Sequence, residues 1–190
     1  MEVYMPFRRS GPPRRFPRRP FRRPGARQAI QALRKAHQLL ENGDFVESAE
    51  IFGRLADGAM QRGFHQAPNL NFQAARAWIQ AGQIDKAVAR ALSGLRWLLN
   101  AGHYQRFAVA EQRILKHLEE GGYRAEADQM RAELEKMKAG KQIPAIHAVT
   151  SKPKLPAKCP YCGGSILPDE VEWFDEVTPG CSYCGSPLQS

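Results

Sequence analysis

Between residues 27 and 138 apolar side chains recur every three to four positions, the spacing of one face of a helix. Ile30, Leu33, His37 and Leu40 form the first such stripe, and Phe45, Ala49, Phe52 and Ala56 the second. Phe72, Ala75 and Ile79 follow, then Ile84, Val88, Ala91, Leu95 and Leu98, then Phe107, Ala110, Ile114 and Leu118. Tyr123, Ala127, Met130, Leu134 and Met137 make a final seam with a period near 3.5. No stretch in this region alternates with period two over the length of a strand, so the pattern predicts helices throughout. Short breaks separate them at Asn42-Gly43-Asp44, Ala81-Gly82-Gln83 and Glu120-Gly121-Gly122, where glycine supplies a left-handed helix cap. Arg62-Gly63 and Asn100-Ala101-Gly102 punctuate the chain between hairpins, and Pro68 suits the first turn of a helix.

The breaks are regular. Gly43, Gly82 and Gly121 lie 39 residues apart, Phe45, Ile84 and Tyr123 follow at one offset, and Leu40, Ile79 and Leu118 precede at another. Three helix-turn-helix units stacked in succession account for this spacing, with a plain six-helix bundle as the alternative.

Residues 29–137 resemble a divergent tetratricopeptide-repeat array. The resemblance rests on Gly43-Asp44-Phe45 with Ser48, on Gly82-Gln83-Ile84 with Ala87, and on Ala75 and Trp78 in the small and bulky positions of a first helix. Gly122-Tyr123 with Ala127 matches after a shift of one residue. The spacing is longer than the family's unit of about 34 residues, and its closing proline is missing. The resemblance implies a solenoid of three hairpins that binds protein partners along its surface.

Residues 139–157 hold three prolines and no periodicity, and read as a linker. Residues 158–190 carry all four cysteines, as Cys159-Pro-Tyr-Cys162 and Cys181-Ser-Tyr-Cys184 with eighteen residues between the pairs. Two residues between cysteines let a tight turn aim both thiolates at one ion. Gly163 and Gly185, just after each pair, can take the positive φ that turns backbone N–H groups toward sulfur. Ile166, Leu167, Val171, Trp173, Phe174 and Val177 in the intervening stretch are strand formers. Lys154 and Lys158 stand near enough in sequence to offset the charge of four thiolates. The segment resembles the zinc-ribbon family, which implies one structural Zn²⁺ held by Cys159, Cys162, Cys181 and Cys184. A single iron in rubredoxin fashion has the same geometry, and spacing does not separate the two. A redox pair of the thioredoxin type needs one such motif beside a βαβ unit, which the pattern lacks. Four thiolates leave no open coordination position, which argues against hydrolysis at the ion.

Charge is concentrated at one end. The chain's formal charge is +9, yet residues 1–27 hold nine arginines against one acid, and the remaining 163 residues hold 19 basic and 18 acidic side chains. Residues 1–26 are rich in Arg, Pro and Phe, a composition that cannot repay its ordering entropy alone and predicts disorder. Arg8, Arg9, Arg14, Arg15, Arg18, Arg19, Arg22 and Arg23 are candidate contacts to an anion or nucleic acid, with Phe7, Phe16 and Phe21 placed to stack on bases. An acidic protein, an anionic lipid surface, or no specific target fits the same composition.

No run of 18 apolar residues is present, no apolar region follows the first arginines, and six prolines from Pro6 to Pro24 forbid an amphipathic presequence. The expected location is the cytoplasm. His37, His65, His103, His117 and His147 form no metal-binding pair, and no phosphate loop, nucleophile elbow or paired carboxylate stands out. Trp78 and Trp97 read as core, and one of Trp173 and Phe174 must face outward. The sequence thus predicts a mainly α protein with a small C-terminal β module. Its expected role is a non-enzymatic adaptor, with nucleic-acid association as the second reading and no catalytic residue or small-molecule substrate.

Overall fold

The computed structural model describes residues 24–141, 155–167, 171–173 and 179–188, with the backbone alone for Pro24, Glu172 and Trp173. The tail arginines from Arg8 to Arg23, together with Phe174, Val177, His147 and Lys154, lie outside the described residues. The protein is mainly helical. Helices α1 (Pro24–Asn42), α2 (Phe45–Gln61), α3 (Ala67–Gln80), α4 (Ile84–Asn100), α5 (Tyr104–Glu120) and α6 (Arg124–Lys138) precede two short strands, β1 (Glu172–Trp173) and β2 (Pro179–Gly180).

Each helix is followed closely by a glycine in the left-handed region. Gly43, Gly63, Gly82, Gly102, Gly122 and Gly140 all have φ between 66° and 89°, a conformation that disfavours any side chain with a Cβ. At the first five, the glycine N–H and its successor's reach back to close the last turn, as in Gly82 N to Ile79 O (3.0 Å) and Gln83 N to Trp78 O (2.9 Å). These satisfy the carbonyls that a helix end orphans. In the third unit the left-handed residue is Gly122, whereas Gly121 has φ −75° and caps α5 in the helical region. The spacing of turn glycines is therefore 39 and then 40, and Tyr123 is the residue before α6 instead of its first.

The shift preserves packing. Ser48, Ala87 and Ala127 each stand five residues after a turn glycine, and all are buried. A small side chain there lets the second helix of a hairpin approach the first, and Ser48 Oγ donates to Ala36 O at 2.8 Å. α1 packs on α2, α3 on α4 and α5 on α6, while α2–α3, α4–α5, α4–α6 and α3–α5 contacts stack the hairpins on one another.

Helix α3 lies at the centre, with nearly every side chain from Ala67 to Ile79 buried. It joins two apolar clusters. One unites α3 to α6 around Phe72, Trp78, Leu95, Leu98, Phe107, Leu118, Met130 and Leu134. The other unites α1, α2 and α3 with the cysteine segment, through Leu33, Ala36, Phe52, Ala56 and Leu70 against Ile166, Val171, Tyr183 and Leu188. Trp78 is core as expected, but Trp97 is half-buried and stacks on His103 at 5.9 Å. Arg90 of α4 makes a two-pronged ion pair with Asp57 of α2, its second bond 3.0 Å long, across the bare Cα of Gly53.

The boundaries differ slightly from those the sequence suggested. α1 starts at Pro24, where a proline costs a helix nothing because a first-turn N–H has no partner anyway. Leu155 packs against the α1–α3 cluster and Ala157 O accepts from Ile166 N (2.9 Å), so ordered packing on the C-terminal side begins before Lys158.

Candidate metal centre

The two cysteine pairs fold into near-identical knuckles offset by 22 positions. Cys159 N donates to Gly164 O and Gly163 N to Cys159 O; Cys181 N donates to Ser186 O and Gly185 N to Cys181 O, all between 2.8 and 2.9 Å. Each knuckle is closed by a further pair, Ile166 N to Ala157 O and Leu188 N to Pro179 O. Gly163 and Gly185 have φ of 77° and 69°, as the sequence predicted. Among the described residues Glu172–Trp173 pairs antiparallel with Pro179–Gly180, and isolated bridges join Lys158 to Ser165 and Gly180 to Pro187. Ile166 lies outside any strand because its N–H closes the first knuckle.

All four sulfurs converge, lying within 4.8 Å of one another. Cys159 Sγ is 3.8 Å from Cys184 Sγ, and Cys162 Sγ is 3.8 Å from Cys181 Sγ. A tetrahedral ion bound at about 2.3 Å per thiolate sets its sulfurs about 3.8 Å apart, so the cage has the dimensions of a four-thiolate metal site. Cys159, Cys162 and Cys181 are buried, and Cys184 is nearly so. Hydrogen bonds from Cys162, Cys181 and Cys184 push the Cys159 thiol down, Cys184 is also lowered, and Cys162 and Cys181 are pushed up, first by their hydrogen bonds with Cys159. Four thiolates cannot coexist there without a cation among them. Tyr183 N points at Cys181 Sγ (3.5 Å), and Ser186 Oγ lies 3.1 Å from Cys184 Sγ, placed to donate once that sulfur is ionised. Lys158 pairs with Glu41 of α1 and lowers that carboxyl's pKa.

The knuckles differ in their surroundings. Tyr161 of the first is exposed, whereas its counterpart Tyr183 is buried against the helices. Tyr183 Oη accepts from Gln73 Nε2 at 2.6 Å, and Asn69 Nδ2 donates to Ser182 O at 3.1 Å. Arg34 Nε donates to Tyr161 O at 2.5 Å. His37 packs edge-on between Phe52 (5.0 Å) and Tyr183 (5.4 Å), and burial lowers its pKa to about 4. It is a packing residue, as its place on an apolar stripe implied.

A second feature lies on the helices. An open cleft of about 220 Å³ is lined by Leu40, Phe45, Arg76, Ile79, Gln80 and His117. Arg76 is exposed and has no hydrogen bond or ion pair among the described residues. Partial burial, followed by the nearby positive charge of Arg76, Lys116 and Arg113, lowers the pKa of His117; Glu120 alone opposes. The cleft is electropositive over an apolar floor. Sequence reading missed this cleft, because its lining comes from four helices and no local pattern marks it. It also missed Arg34, Asn69, Gln73 and Tyr183, although Asn69 and Gln73 stand four apart in one helix and so share a face.

No helix among the described residues is long and apolar enough to cross a membrane. Comparison of the chain with protein-family models, with curated proteins and with solved structures finds no match.

Proposed function

We propose that this chain is a non-enzymatic adaptor whose three tetratricopeptide-like hairpins receive a protein partner, and whose cysteines hold one structural Zn²⁺ in a zinc ribbon. The cleft carries the first half of the reading. Its floor of Leu40, Phe45 and Ile79 offers apolar area, and Arg76 stands beside it with a full charge and no internal partner. That combination suits a partner segment bearing an apolar side chain next to a carboxylate. Four thiolates around a closed tetrahedron support zinc and give the ion no open position for a reaction, which also supports a structural role. A tetrathiolate iron of the same geometry is separated from zinc by the colour of the purified protein and by elemental analysis.

Affinity purification of the full chain, of chain lacking residues 1–26, and of Arg76→Glu tests the adaptor reading. Stoichiometric protein partners should survive tail deletion and high salt and be lost from Arg76→Glu. Equal recovery on Arg76→Glu would remove the cleft from the account. The second reading rests on the tail, where eight arginines from Arg8 to Arg23 alternate with phenylalanines. Under it, binding to single-stranded RNA falls steeply with salt and collapses when residues 1–26 are removed.

A further inference from the structure

The helices hold both halves of the cysteine cage, each chiefly through a different helix. α1 holds the first knuckle: Arg34 bonds to Tyr161 O, Glu41 pairs with Lys158, and His37 lies so close to Gly164 that a Cβ there would sit 2.8 Å from its Nε2. α3 and its leading turn hold the second: Asn69 bonds to Ser182 O, Gln73 to Tyr183 Oη, and Gln66 reaches within 2.5 Å of where a Cβ on Gly185 would be. Only two knuckles joined by eighteen residues form the cage, yet α1 and α3 are fixed relative to each other by the helix between them.

We propose that α1 and α3 are part of the metal centre. By fixing where each pair of thiolates stands, they preorganise the tetrahedron and slow loss of the ion. The coupling is reciprocal, since a free energy shared by two sites acts on both. Metal keeps both knuckles in the shape that α1 and α3 recognise, and so keeps Leu33, Ala36, Leu70 and Ala74 covered by Ile166, Val171, Tyr183 and Leu188. Metal occupancy therefore controls whether that face of the helical array is open. The inference rests on the cysteines binding metal and goes beyond it, because a self-sufficient ribbon would hold its ion whatever the helices did.

The test uses zinc-loaded full-length chain and its Asn69→Ala/Gln73→Ala variant, with zinc release to a chromophoric chelator followed beside far-ultraviolet circular dichroism. Outer-shell partners of metal ligands typically change affinity about 10- to 100-fold, and release from a still-helical variant should accelerate on that scale. Tyr183→Phe removes one hydroxyl and serves if the double variant unfolds; its release should quicken by a smaller factor. Amide exchange on metal removal should rise in α1 and in the first half of α3 while α5 and α6 stay unchanged. Metal bound by wild type but released at the same rate from both variants overturns this inference alone. A wild-type chain that takes up no zinc overturns the metal reading, and this inference with it.

Discussion

The hydroxyl of Tyr183 accepts a hydrogen bond from the amide of Gln73, 2.6 Å away and 110 positions earlier in the chain. Both side chains are buried, so neither has water to fall back on. Tyr183→Phe leaves the Gln73 amide without this acceptor, and a buried donor stripped of its partner costs about 1–3 kcal/mol. Urea unfolding of the zinc-loaded chain should show a lower midpoint for this variant, and Tyr161→Phe, at the exposed counterpart, should shift it much less.

Close approach makes Gly164 a second test of the docked arrangement. A Cβ there would stand 2.4 Å from Tyr183 Cδ2 and 2.8 Å from His37 Nε2, both in buried rings. Gly164→Ala should destabilise the protein by about 1–3 kcal/mol, the usual cost of overpacking. An unchanged melting temperature would contradict the close approach of Gly164 to Tyr183 and His37.

Helix crossing in the other cluster rests on Gly94, whose missing side chain admits the ring of Phe72 to within 2.6 Å of the Cβ position. Gly94→Ala trades a better helix former against that ring. Overpacking of about 1–3 kcal/mol should exceed the propensity gain of about 1 kcal/mol, for a net loss in thermal stability. A stabilised variant would show that α3 and α4 are less tightly packed than described.

Truncating a core side chain should do more damage. Leu95 and Leu134 are fully buried in the cluster of α3 to α6, and Leu→Ala there should cost about 2–5 kcal/mol each by denaturant titration. Phe52→Ala, in the cluster shared with the cysteine segment, should cost about 3–5 kcal/mol and also loosen His37, which packs edge-on against that ring. Effects within about 0.5 kcal/mol, typical of surface sites, would contradict the assigned cores.

The helices were legible because their information is local. Glycine at each turn has a single conformational reason to be there, and Leu40, Ile79 and Leu118 repeat at the spacing that a helical hairpin requires. Locality left the third turn between two residues, Gly121 by even spacing and Gly122 by the repeat match: the two are chemically identical, and the capping bonds from Gly122 and Tyr123 to Glu119 and Leu118 choose Gly122. The cysteine tetrad was legible from its spacing. Its docking was not, because Asn69 and Gln73 meet Ser182 and Tyr183 across more than a hundred residues, and a polar pair on a helix has many ordinary uses. Tyr161 and Tyr183 look equivalent in sequence, and tertiary packing alone makes one exposed and the other core.

The proposal that Cys159, Cys162, Cys181 and Cys184 close around one ion carries the rest of the account. Native mass spectrometry of the purified full-length chain, beside the same chain with Cys162→Ser and Cys184→Ser, measures that most directly. One zinc per wild-type chain, lost from the double variant, is the expected result. A wild-type mass equal to the bare polypeptide, with residues 155–188 still protected from proteolysis in strong chelator, would contradict it.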